Sequence, residues 1–309
     1  MTAKLAHLLP PAGDVTVRFG DRSLTLTHLD KPFWPDDGIS KRDLLTYYLR
    51  VAPHLLPHLK DRPMVLRRYP NGVQDDGFFM KQAPAHRPAW VETVAIRQRS
   101  RRADFVLVQD LPTLLWVVNL GCIDLNPWHA RADDLERPDL LYFDLDPGDA
   151  APFAKVREGA LVLRDALEAL GMPAYVRTTG SRGLHVAVPI ERGPVQADVW
   201  SFSKALAREL GGRHPQLFTV DYALARRPPD RVLIDHKQNA RGQTLASIYS
   251  VRPRPRAPVS TPLTWREVAR DVAIEDFRLD NVLRRLARRG DLWAGVLAPR
   301  GRVDLGRFL

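Results

Sequence analysis

Two aspartates one residue apart, Asp144 and Asp146, end the apolar run Leu140-Leu141-Tyr142-Phe143 and are followed at once by Pro147-Gly148. A run of this kind reads as a buried strand, along which alternate side chains share a face, so both carboxylates project to the same side. Pro147 and Gly148 stop the strand and leave the pair at the rim of a sheet. Two like charges there must repel, protonate or share a cation. Hard oxygen donors so arranged suit Mg²⁺ or Mn²⁺, which keep several waters and accept substrate phosphates as further ligands. The same residues are also good turn chemistry, and the motif by itself leaves a solvated strand end open.

Further along, Ala174–Thr179, the turn Gly180-Ser181-Arg182-Gly183 and Leu184–Pro189 read as strand, tight turn, strand. Leu184, Val186 and Val188 share one face, which puts His185 on the other. The Gly-bounded turn is expected to offer backbone N–H groups to a phosphate, with His185 as a second donor. A plain hairpin with a packed histidine is the other reading, and the spacing is neither a P-loop nor a dinucleotide fingerprint. Arg231–Ile234 reads as a strand that delivers a third carboxylate, Asp235, into the donor-rich run from His236 through Gln238 to Thr244. Gly77-Phe78-Phe79-Met80-Lys81 pairs aromatics that could stack bases with an ammonium for phosphate, or that could pack in a core. His54 and His58 have a metal-like spacing, but Pro57 and the lack of a nearby carboxylate argue for surface histidines.

These residues need elements to hold them. Val15–Phe19 and Ser23–Thr27 alternate around Gly20-Asp21 as a hairpin, and Asp30–Gly38 reads as a loop. Ser40 caps a helix expected over Lys41–Leu49, ending near Pro53 and Pro57. Met64–Tyr69 reads as a strand. A β region over Trp90–Val108 contains the basic run Arg97–Arg102, and Leu111–Leu125 reads as a buried helix holding Trp116 and Cys122. Phe153–Leu170 and Val199–Leu210 are amphipathic helices, the second closed by Gly211-Gly212. Thr264 can cap a closing helix, and Asn281–Arg289 is a basic helix. The chain of 309 residues has 46 Lys and Arg against 36 Asp and Glu, a formal charge of +10, which points to a polyanion such as nucleic acid. The single cysteine excludes a disulfide framework and fits a reducing cytoplasm. No run is long and apolar enough to span a membrane, and no export signal is legible.

In order, Asp-x-Asp, Ser-x-Gly-x-His (Ser181, Gly183, His185) and a strand-end Asp resemble the archaeo-eukaryotic primase superfamily. More closely, the chain is similar to the polymerase domain of bacterial ATP-dependent DNA ligase D. Supporting matches include Leu29-Asp30-Lys31, Gly38-Ile39-Ser40-Lys41, Gly77-Phe78-Phe79, Phe143–Gly148, Gly183–Val186, Asn239–Thr244 and Pro262–Trp265, over about residues 20 to 295. The resemblance implies a mixed α/β primase-polymerase fold, one domain over 1–309 with a DNA-end-binding part (about 15–135) and a catalytic part (about 136–300). It implies nucleotidyl transfer to DNA 3′ ends in gap filling and end joining, with de novo priming or a non-catalytic end-binding role as alternatives. Asp144, Asp146 and Asp235 match the metal-binding and catalytic acids, holding two Mn²⁺ or Mg²⁺ ions. Ser181, Arg182, Gly183, His185, Gln238 and Arg252 match the nucleotide site, Lys31 and Lys41 the 5′-phosphate site, and Phe78, Phe79 and Lys81 the template-stacking site. Expected partners are DNA ends, gapped or primed DNA and nucleoside triphosphates, with a separate ligase and an end-binding protein. The ligase and phosphoesterase regions are absent, so a stand-alone polymerase or an excised domain, in the cytoplasm with the nucleoid, is expected. Asn126, His28 and His236 stand where the family commonly has His, Asn and an aromatic residue.

Overall fold

The computed structural model describes residues 9–97 and 101–309. Its fold is mixed α/β, divided into two compact units that do not follow the chain as two consecutive halves. The first contains residues up to 128 together with 246–259 and 278–290, and the second the remainder.

In the first unit, β1 (Val15–Phe19) and β2 (Arg22–Leu26) form the expected hairpin. The stretch expected as a loop instead pairs β3 (Pro32–Trp34) with β4 (Ile39–Ser40). Ser40 then caps α1 (Lys41–Leu59) through a reciprocal box with Asp43. This helix runs ten residues past its expected end, straight through Pro53 and Pro57. Both prolines are solvent-exposed, and Leu44, Leu45, Tyr48, Leu55 and Leu59 hold the other side in the core, which carries the helix past the two hydrogen bonds the prolines remove. His58 is consequently buried rather than on the surface. β5 (Met64–Arg68) is central in a three-stranded antiparallel sheet, with β6 (Phe78–Met80) on one side. The hairpin of β7 (Thr93–Arg97) and β8 (Arg102–Val106) follows, and the middle of the basic run, residues 98–100, lies outside the described residues. The apolar stretch expected as one helix is two elements: α2 (Leu111–Asn119), capped by Asp110, and β9 (Cys122–Pro127), which pairs with β5. Gly121 makes the break at φ +82, where a Cβ would press on the backbone of Tyr69 and Pro70. The basic helix Val282–Arg289 belongs to this unit.

The second unit is built on a six-stranded sheet. After the small pair β10 (Ala130–Arg131) and β11 (Asp134–Pro138) comes β12 (Leu140–Pro147), the strand read from its sequence. α3 (Phe153–Ala169) leads to β13 (Tyr175–Thr178) and β14 (Leu184–Pro189). α4 (Gln196–Arg213) is longer than expected at both ends and includes Gly211 and Gly212. β15 (Phe218–Thr219), β16 (Val232–Asp235) and β17 (Pro262–Leu263) complete the order β15-β16-β12-β14-β13-β17, antiparallel except for β15 with β16. Leu141, Phe143 and Leu145 on one face of β12 are fully buried, which fixes the register and so fixes where the aspartates point. Among the described residues no helix is long and apolar enough to cross a membrane.

Candidate active site

Residues paired across antiparallel strands share a sheet face, and Asp144 is paired on both sides: with His185 of β14 and with Asp235 of β16. Three residues from distant parts of the chain therefore stand in one row. Asp146 lies two residues on along the same face, as the strand period predicts. Arg177 of β13, paired with His185, extends the row. His185 Nε2 is 3.4 Å from Asp144 Oδ1, and both side chains are buried. Burial first, then the charges of Asp144 and Asp235, push the Asp146 carboxyl up to about 6. Asp235 is held more fully: Oδ1 accepts from the Tyr222 hydroxyl at 2.8 Å and the Lys237 amide at 2.9 Å, and Oδ2 accepts from Gln238 Nε2 at 2.8 Å.

The donor set is three carboxylates on one face, and their mutual repulsion is the condition a hard divalent cation relieves, so the residues fit Mg²⁺ or Mn²⁺ in chemistry. Among the described residues, no three Asp, Glu, His or Cys side chains already converge tightly enough to hold an ion by themselves. Water and substrate oxygens would have to complete the coordination.

The Gly-bounded turn differs from its expected role. The N–H groups of Ser181 and Gly183 both donate to Thr179 Oγ1, at 3.1 Å each, so Thr179 takes up two donors expected to face a phosphate. Gly183 is there for space: a Cβ would collide with the Leu145 carbonyl oxygen, and only glycine lets β14 start this close to β12. Arg182 is exposed and pairs with Asp149 at 2.9 Å. Gln238, expected at the nucleotide, holds Asp235. Asn239 of the donor-rich run is also structural: its buried side chain accepts from Tyr142 N at 2.8 Å and donates to Tyr142 O at 2.7 Å, continuing the β12 ladder where β16 leaves it.

The other predicted residues lie in the first unit. Lys41 is the first residue of α1, buried, with Nζ donating to Thr27 O at 2.8 Å; burial, reinforced by the Lys31 charge, lowers its pKa to about 8. Lys41 N donates to Lys31 O, so the β3–β4 pairing brings the two lysines' backbones together, and Lys31 Nζ donates to Asn71 Oδ1. Phe78 and Phe79 are exposed by 47% and 62%, which removes the core reading, and the guanidiniums of Arg68 and Arg67 lie over their rings. Lys81 is exposed beyond them. Arg252 Nε is 3.1 Å from Oδ1 of Asp124, a fully buried carboxylate that Arg67 also approaches. A reading of Leu111–Leu125 as one helix hides Asp124; in the strand β9 it stands opposite Arg67 as a lone acid.

Residues 40–293 match the family model of the LigD primase-polymerase domain. The chain belongs to this family. It is 31% identical over 271 residues to the multifunctional non-homologous end joining protein LigD of Mycolicibacterium smegmatis, covering 87% of this chain and 35% of that protein. The Pseudomonas aeruginosa LigD is 28% identical, with 93% and 34% covered. The chain thus spans about a third of the length of these relatives. Among solved structures, the polymerase domain of Mycobacterium tuberculosis ligase D in complex with DNA superposes with a TM-score of 0.85 at 30% identity, covering 89% of this chain and 98% of that one. Two departures of this LigD-type domain have local reasons. His28 adopts φ +54, a left-handed conformation that Asn, Asp and His adopt more readily than other non-glycine residues. His236 accepts from Trp200 Nε1 at 3.1 Å and meets Tyr222 edge-on, so the imidazole fills an aromatic's place; burial lowers its pKa and keeps it the neutral acceptor. Asn126 is buried and donates to Asp124 O.

Proposed function

We propose that this chain adds nucleotides from triphosphates to DNA 3′ ends, filling gaps during end joining. The observation that carries the reading is the single row of Asp235, Asp144 and His185 with Asp146 beside it, on a LigD-type fold. Asp144, Asp146 and Asp235 would hold Mn²⁺ or Mg²⁺, which when bound would acidify the 3′-hydroxyl and neutralise the departing pyrophosphate. His185 donates to the triphosphate from its place beside Asp144, and Arg182 reaches it by releasing an exposed ion pair with Asp149, worth at most ~1 kcal/mol. Ser181 can contribute its hydroxyl. Arg252 adds charge for the nucleotide while balancing Asp124. Phe78 and Phe79 stack on template bases, Lys81 meets the backbone, and Lys31 with Lys41 receives a 5′-phosphate. The partners are DNA ends and a ligase acting on the filled gap.

The test is extension of a primed, recessed DNA with Mn²⁺ and one labelled nucleotide. Asp144→Asn and Asp146→Asn should each abolish extension, by at least about a hundredfold, while DNA affinity stays near wild type. Normal extension by both variants would end the polymerase reading.

A further inference from the structure

We propose that Tyr222, which lies in no recognised motif, is the positioning residue that fixes Asp235 and leaves it one oxygen free to hold a divalent cation. The inference rests on the reading of Asp144, Asp146 and Asp235 as ligands. A carboxylate oxygen has two lone pairs. Oδ1 of Asp235 accepts from the Tyr222 hydroxyl at 2.8 Å and from the Lys237 backbone N–H at 2.9 Å, which fills it. Oδ2 accepts from Gln238 Nε2 alone among the donors described for it, at 2.8 Å, and one lone pair remains there. Asp235 is therefore presented through Oδ2, with both of its torsions fixed before any cation arrives.

Tyr222 is itself held on several sides. Lys237 Nζ stands 3.6 Å from the centroid of its ring, and the His236 imidazole meets the ring edge-on with centroids 5.4 Å apart. The Lys237 N–H also reaches the phenol oxygen at 3.1 Å, so the oxygen accepts from the amide while its one hydrogen is committed to Asp235. The loop beneath is tied to β15 by Asp221 N donating to Thr219 Oγ1, and the Asp221 carboxylate binds Ala223 N and Arg226. A ring serving only as filler would not need its hydroxyl hydrogen aimed at a site carboxylate. Groups that orient a ligand in this way alter metal affinity by roughly 10–100-fold when removed.

Tyr222→Phe keeps the ring and its contacts and removes only the hydroxyl. Mn²⁺ should be titrated into metal-free protein, without DNA or nucleotide, for wild type, Tyr222→Phe, Lys237→Met and Asp235→Asn, with melting curves as the check on folding. Tyr222→Phe should melt with wild type, bind Mn²⁺ about tenfold more weakly, and extend slowly at limiting Mn²⁺ with the rate restored as Mn²⁺ is raised. Lys237→Met removes the charge above the ring but neither hydrogen bond to Oδ1, and should not weaken Mn²⁺ binding. Wild-type Mn²⁺ affinity in Tyr222→Phe beside a loss in Asp235→Asn would overturn the proposal. An equal loss in Lys237→Met would overturn it too, since packing of the ring rather than the hydroxyl would then set Asp235. Wild-type binding and extension by Asp235→Asn would instead remove the ligand reading itself, and the role of Tyr222 with it.

Discussion

Asp146 concentrates the conflict of the site in one carboxyl. It is largely buried and has Asp144 and Asp235 as neighbours, and these together push it up to about 6. In the unfolded chain an aspartate titrates near 4. Between these values the folded protein binds the extra proton, so the contribution of Asp146 to stability is greatest at low pH and is lost as pH rises from about 4 through 6. At neutral pH the ionised carboxylate costs on the order of 2 kcal/mol, a figure reduced from the full shift because the group is partly solvated. In a chelator, Asp146→Asn should therefore melt above wild type at pH 7.5, with the difference closing near pH 4. Calorimetric melts at the two pH values measure this, and identical melting temperatures at pH 7.5 would mean that no such strain exists. Added Mn²⁺ should raise the melting temperature of wild type more than that of the variant, because only wild type has the repulsion to relieve.

At the scale of elements, β12 depends on a side chain standing in for a strand. Where β16 ends at Asp235, Asn239 supplies both a donor and an acceptor to Tyr142, two residues before Asp144. Asn239→Ala removes both of these buried hydrogen bonds, each worth about 0.5–1.5 kcal/mol. Chemical denaturation should show that loss, and an unchanged midpoint would mean that the ladder does not need the amide. The strand itself was legible, because four apolar residues, a fixed period and a Pro-Gly stop all agree over Leu140–Gly148. The hairpin after it was legible for similar reasons. Asn239 lies in a donor-rich run, and such a run says nothing about which donors the fold itself consumes. The backbone N–H groups of Ser181 and Gly183 are a like case, since the hydroxyl that takes them belongs to Thr179, outside the motif. Leu111–Leu125 failed for another reason: a buried helix and a buried strand look alike in a mostly apolar run, and Gly121 with the lone acid Asp124 marks where one gives way to the other. Pro53 and Pro57 read as breaks in the sequence, yet burial of the opposite face of α1 outweighs the helical hydrogen bonds they remove.

Over the whole molecule, the charge of +10 and the proposed 5′-phosphate residues would contribute to DNA binding in different ways. General basic charge acts on every phosphate, and its contribution falls with salt by about 0.9 in log affinity per log salt for each contact. Lys41 is a different kind of charge, buried at the start of α1 with Lys31 beside it and its pKa lowered to about 8. Such a group is protonated at pH 7 and loses its proton as pH rises past 8, whereas a terminal phosphate, titrating near 6, stays dianionic throughout. Gapped DNA with a 5′-phosphate should accordingly bind more tightly than the 5′-hydroxyl form by roughly 1–3 kcal/mol at pH 7, and the preference should shrink by pH 9.5. Bound phosphate holds the proton on Lys41, so the loss should begin somewhat above 8. Between 50 and 200 mM salt the two DNAs should weaken nearly in parallel, since a charge pair formed at a buried lysine is screened less than surface contacts. Fluorescence anisotropy on both DNAs across this grid of pH and salt, with Lys31→Ala, Lys41→Ala double-variant protein as the control, separates the contributions. Equal affinity of wild type for the two ends at pH 7 would sink the 5′-phosphate site, and a double variant that weakened both ends equally would reduce Lys31 and Lys41 to general charge.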